Sequence, residues 1–167
     1  MLNYEKIGNL RGICMQNLFS CLTALLGQPE NGSTYAEFLA NLDEQPKLLR
    51  NREHHRVYYF SNSGFSLSAN ENGFFSVFLH FNTVGTKSAT TKPFIGELPY
   101  GICASDTKQI VEYKIGKKPN KSRLIPGRTS EEPEDYWDDY ECGAFILLFI
   151  FCSDGTGIGG MSVSLRK

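Results

Sequence analysis

The chain has 167 residues, 41% of them hydrophobic, with 17 Lys and Arg against 18 Asp and Glu and a formal net charge of −1. That length buries a core without covalent staples. So balanced a charge excludes a generally basic nucleic-acid binder and a polybasic membrane-surface protein, both of which need many clustered cations.

Met1 to Asn9 carries Glu5 and Lys6 and no apolar stretch, so a secretory signal peptide is not expected there. From Leu10 to Gly27 the apolar residues Ile13, Leu18, Leu22, Leu25 and Leu26 recur at helical spacing, and Gly27 followed by Pro29 marks a stop. Thr34 with Glu37 three residues on predicts a capping box, and Tyr35, Phe38, Leu39 and Leu42 give the second helix an apolar face that ends before Pro46. The period then changes. Val57 to Phe60 is β-branched and aromatic, Phe65, Leu67 and Ala69 alternate with Ser66 and Ser68, and Asn72-Gly73 predicts a hairpin leading into a strand over Phe74 to Phe81. The polar stretch from Asn82 to Thr91 reads as a linker.

The pattern then begins again. Gly12-Ile13-Cys14 recurs as Gly101-Ile102-Cys103 and Leu26-Gly27 as Ile115-Gly116, at one shared offset, with Pro29 and Pro119 just beyond. Ser105 or Asp106 can cap a helix whose apolar positions are Ile110, Val111 and Ile115. Lys108, Lys114, Lys117, Lys118, Lys121, Arg123 and Arg128 form a basic block, read as the polar face of that helix and an exposed loop.

An acidic run studded with rings follows: Glu131, Glu132, Glu134, Asp135, Tyr136, Trp137, Asp138 and Asp139, then Tyr140 and Glu141. It is read as a loop at the entrance of a strand over Ala144 to Phe151, whose unbroken apolar run predicts burial on both faces. Ser153-Asp154-Gly155 predicts a turn, and Gly155 to Gly160 a hairpin rather than a nucleotide-binding loop, because Met161 to Leu165 alternates as another strand. The five cysteines, Cys14, Cys21, Cys103, Cys142 and Cys152, lack a CxxC pair and read as buried thiols of a reducing compartment. His54 and His55 are expected to point to opposite faces, and His80 to be a satisfied strand histidine. No local spacing assembles a catalytic or metal-binding constellation.

The expected fold is therefore α+β. A single domain over 1–167 comprises a helix-then-meander repeat at 10–81, a linker at 82–94 and a second repeat at 95–167, with the helices on one face of the sheet. This order resembles the tandem-repeat fold of the β-lactamase inhibitor protein. The likeness is carried by Leu98-Pro99-Tyr100-Gly101 at the helix entry, Ile115-Gly116-Lys117-Lys118-Pro119 at its exit, and the strand pair around Asp154-Gly155. It covers most of Leu10 to Leu165. Proteins of this look are often small bacterial immunity proteins encoded beside secreted or contact-dependent toxins. Unlike the secreted inhibitors, this chain shows neither a signal peptide nor paired disulfides, which favours a cytoplasmic partner.

The resemblance and the acidic run together lead to one functional expectation: a non-enzymatic, cytoplasmic immunity or inhibitor protein that needs no cofactor or metal and binds neither nucleic acid nor membrane. It would occlude the cationic active-site cleft of a cognate toxin, a nuclease being one such target. The expected contacts are Glu131, Glu132, Glu134, Asp135, Tyr136, Trp137, Asp138 and Asp139, with Trp137 as the anchor. The alternatives are a small enzyme or ligand-binding domain with a cleft between the repeats, and an assembly module that uses its terminal strand edge.

Overall fold

Gly27 and Gly116, the two expected helix stops, both adopt the left-handed backbone, with φ of 82° and 79°. An L side chain there costs about 1 kcal/mol or more. In the computed structural model, which describes residues 17–52, 54–81, 91–125 and 135–166, Gly27 closes the turn after α1 (Leu18–Ala24) and Gly116 caps α3 (Lys108–Ile115) directly. Between them lies α2 (Ser33–Asn41), which begins behind Gly32 without a side-chain cap, so the expected Thr34–Glu37 box does not form. At α3 the cap position is Thr107 rather than Ser105 or Asp106. Asp106 instead accepts hydrogen bonds from the Cys103 amide at 2.8 Å and Lys114 Nζ at 2.7 Å. Val111 is the buried residue of α3, while Ile110, expected in the core, is 41% exposed.

Eight strands follow in chain order: β1 (Lys47–Arg52), β2 (His55–Phe60), β3 (Phe65–Asn70), β4 (Gly73–His80), β5 (Lys121–Ile125), β6 (Asp135–Cys142), β7 (Phe145–Phe151) and β8 (Ile158–Leu165). They form one sheet in the order β1-β2-β3-β4-β8-β7-β6-β5, antiparallel throughout. The class is α+β. Two four-strand meanders meet at a β4–β8 seam, where Val77 faces Val163 and Phe78 faces Ser162. Helices α1 and α2 precede the first meander; a 3-10 turn at Pro99–Gly101 and α3 precede the second.

Because side chains alternate across a strand, the register sorts them onto two faces. Leu67, Val77, Val163, Leu147 and Tyr140 form one row across five strands, and none is more than 2% exposed. This first face is the core. Phe38 of α2 sets its ring against Phe60 and Phe65, with centroids 6.3 and 6.1 Å away, and Tyr35 meets Phe74 at 4.7 Å. The second face carries the parallel row Tyr59, Ser66, Phe78, Ser162, Leu148 and Asp139, most of it half-buried.

Three strand assignments differ from the sequence reading. β1 and β5 were not expected at all, and residues 135–142, expected as a loop, are the strand β6, paired on both sides. β7 is a strand as expected, but only Leu147, Phe149 and Phe151 are buried; Ile146, Leu148 and Ile150 on the second face are half-buried. The hairpin at Gly155–Gly160 does lead into β8. A Cβ at Gly157 would come within 2.4 Å of the Ala104 carbonyl oxygen, so the close approach of that turn requires glycine.

Candidate functional site

The expected contact residues divide by strand alternation. Glu131, Glu132 and Glu134 lie outside the described residues, and Asp135 opens β6. Tyr136, Asp138 and Tyr140 share the first face; Trp137, Asp139 and Glu141 share the second.

Asp138 is completely buried. Its Oδ1 accepts from Lys108 Nζ at 3.0 Å and from the Ser122 hydroxyl, tying α3 and β5 to β6, while its Oδ2 has no partner. A buried carboxylate needs such compensation, because an unpaired charge in the interior costs several kcal/mol. Asp138 therefore serves the fold and is not presented to solvent. The Tyr140 hydroxyl, also buried and unpartnered, is pushed well above its ordinary range by desolvation first and then by the charge of Asp138. Tyr136 is 48% exposed and lies opposite Leu124, itself 45% exposed.

Trp137 is half-buried on the second face beneath Arg123, whose guanidinium carbon stands 5.0 Å from the ring centroid. This is cation–π range. Asp139 is half-buried opposite Lys121, and Glu141 pairs with Arg166 at 3.0 Å. Between Trp137 and the seam lie Ile146, Leu148 and Ile150; beyond them the Ser76 and Ser162 hydroxyls sit 3.0 Å apart. His80 lies between the rings of Tyr59 and Phe78, with centroids 5.7 and 4.8 Å away. Burial lowers its pKa, and its Nε2 and the Tyr59 hydroxyl are buried without partners. The result is a sheet face with an apolar and hydroxylic centre.

Two hollows were invisible in the sequence. One, of about 290 Å³, is lined by residues that include Glu30, Arg56, Asn70 and Glu71. The Arg56 guanidinium donates to both Glu30 oxygens, at 2.9 and 2.8 Å from Nε, and holds that carboxyl below its ordinary 4.5. Burial, helped by Glu30, pushes the neighbouring Tyr58 hydroxyl up to about 12. This pair fastens the turn after α1 to β2. The other hollow, about 470 Å³, runs along Phe94 to Ala104, where Glu97 and Cys103 are its ionisable groups and no histidine joins them. At its margin Tyr100 adopts a φ of 61°, unusual for a residue with a Cβ. Cys103 is exposed, whereas Cys21, Cys142 and Cys152 are half-buried, and Cys14 lies outside the described residues. Among the described residues no group of three His, Cys, Asp or Glu side chains is placed to hold a metal, and no helix is long and apolar enough to cross a membrane.

No protein-family model and no curated protein matches the chain. Among solved structures it is similar to an extracellular protein containing an SCP domain from Bacillus anthracis str. Ames, with a TM-score of 0.54 at 7% identity over 99% of this chain and 50% of that one. The likeness is one of fold alone. This chain spans half the length of that protein. A DUF4309 family protein, YjgB, from Bacillus subtilis subsp. subtilis str. 168 gives a TM-score of 0.49 at 15% identity, over 91% of this chain and 95% of that one. A cysteine-rich secretory protein, SAV1118, from Staphylococcus aureus subsp. aureus Mu50 gives 0.46 at 8% identity, over 86% and 49%.

The sequence reading singled out Trp137 but missed the residues that surround it in space. Lys121 and Arg123 were assigned to a loop, although their spacing of two places both on one face of a strand. The same spacing in Arg50 and Arg52 carried the same unused signal.

Proposed function

We propose that this chain is a non-enzymatic immunity or inhibitor protein of the cytoplasm, which binds a cognate toxin and blocks its active site, and that the second face of the sheet does the binding. The observation that carries this reading is the half-buried apolar centre formed by Ile146, Leu148, Ile150 and Phe78, with Trp137 beside it. A core of that kind inside a polar margin is the anatomy of a protein interface, and tryptophan is the residue most enriched at hot spots. On this reading the chain is a tandem repeat whose helices cover the first face and leave the second for the partner. Two helix-then-meander halves, each with a left-handed glycine after its helix, support that architecture. The partner contacts shift from the acidic run as a whole to Trp137 and Asp139, because Asp138 is enclosed.

The test is coexpression with the C-terminal domain encoded by the gene immediately upstream. Survival only in the presence of this chain, with copurification of the two proteins, is expected, and Leu148→Arg should abolish both. Toxicity indifferent to this chain would overturn the immunity role. Protection that persists in Leu148→Arg would move the interface off this face.

A further inference from the structure

The second face is bounded by cations at both edges of the sheet. On β1 the register sets Lys47 opposite Tyr59, Arg50 opposite Val57 and Arg52 opposite His55. All three therefore belong to the second face, and Arg50 confirms this by donating to His55 Nδ1 at 3.1 Å. On β5 the register sets Lys121 opposite Asp139 and Arg123 opposite Trp137. All five cations are exposed, and among the described residues none of them forms an ion pair. Among the described residues the acids at second-face positions are Asp135, opposite Ile125, Asp139 and Glu141, and Glu141 is already taken by Arg166. A chain with a net charge of −1 has thus gathered a cationic margin around one apolar surface.

Resting on the reading above, we infer that the partner is a folded protein whose docking surface is acidic at two separated ends and apolar between them. The geometry selects this occupant. With eight strands in the sheet, seven spacings of about 4.8 Å separate β1 from β5, so the two cationic edges stand roughly 30 Å apart. The interval is filled by serine hydroxyls and aliphatic side chains rather than by further cations. A nucleic-acid strand needs a continuous basic track and bare ring faces for its bases. Here Trp137 is covered by Arg123, and Tyr59 is only 5% exposed. An acidic protein surface instead gains steering and register from the edges and buried area from the centre. The sign is the reverse of the one the acidic run suggests: here the chain supplies the cations.

The inference is tested by titrating the isotopically labelled chain with a peptide of about fifteen residues, three glutamates at each end of a Leu, Trp and Ser middle, long enough when extended to reach both edges. The expected result is a set of amide shifts in β1, β5 and the second face, weakening with added salt. The Arg50→Glu, Arg52→Glu double variant and, separately, Lys121→Glu should each reduce affinity about tenfold, with amide shifts of the free chain that change only next to the substituted residues. Equal binding by a peptide with serine in place of glutamate, or tighter binding by an oligothymidylate of matching length, would overturn the inference. So would a solution mass that doubles with concentration and titrates away the same shifts, since the occupant would then be a second copy. Absence of second-face shifts at about 1 mM peptide would also overturn it. These failures concern the charge of the partner; the reading of the face itself fails separately, if Leu148→Arg leaves coexpression rescue intact.

Discussion

The two halves of the sheet, each a four-strand meander preceded by helical turns, are held together by different chemistry. In the first half α2 is locked by rings: Tyr35 and Phe38 meet Phe60, Phe65 and Phe74 edge-on, and the polar ties stand at the margin, where Glu30 pairs with Arg56 and Glu44, just after α2, accepts from the Asn62 and Ser63 amides. In the second half the corresponding space under α3 holds a buried carboxylate, Asp138, fastened by Lys108 and Ser122, with Tyr140 beside it. One half relies on apolar burial, which is tolerant of direction; the other relies on a charge that must be met by defined donors. The same topology is thus compatible with two kinds of core, and the second kind specifies where its helix sits more narrowly than it stabilises it.

Substitutions can break this contrast in graded steps. Phe38→Ala should be the most damaging, at about 3–5 kcal/mol, because it empties a ring cluster; chemical denaturation reads the loss. In the second half Lys108→Met, which strands the Asp138 charge, should cost about 3 kcal/mol. Asp138→Asn, which keeps the hydrogen bond to Ser122 and removes the charge, should cost about 1 kcal/mol. The order of those two values is the sharper test. If Asp138→Asn proves the worse, the pair is more than a compensated charge.

The helix stops allow a like-for-like comparison. Gly116→Ala meets no atom within 4 Å, so it should cost only the backbone penalty of about 1 kcal/mol. Gly27→Ala meets the Leu165 side chain at 3.3 Å, and any excess over Gly116→Ala in thermal unfolding measures how freely that side chain gives way. The smallest expected effect is a pH dependence. The Glu30 carboxyl is held below its ordinary 4.5, so its contribution is complete above that value and is lost as pH falls through the lower folded value. Glu30→Gln should remove that part of the acid slope in a stability titration between about pH 5 and 2.

What could be seen in advance follows the same division. The hairpin at Asn72-Gly73, the glycine stops and the alternation of Phe65, Leu67 and Ala69 are local events written in neighbouring residues. β1 and β5 escaped because edge strands carry cations as protection against pairing with other chains, and so resemble loops. β6 escaped because seven of its eight residues are acidic or are aromatic residues set next to acids, which hides the alternation that sends Asp138 inward and Trp137 outward. The Lys108–Asp138 and Glu30–Arg56 pairs join positions far apart in the chain, and only the folded sheet brings them together. Trp137 was picked out for its company in sequence, yet its neighbours in space are Arg123 and Ile150.

The β4–β8 seam is the one pairing in the sheet between strands that are not neighbours in the chain, which bears on how the molecule is expected to assemble. Every other strand pairing joins neighbours in the chain and can close early at little entropic cost. The seam alone must wait for both meanders, so an intermediate with two finished halves exposes β4 and β8 as two free, complementary edges. At high concentration those edges belong as readily to another molecule as to their own, and refolding from concentrated denaturant should give exchanged dimers in which each seam pairs the β4 of one copy with the β8 of the other.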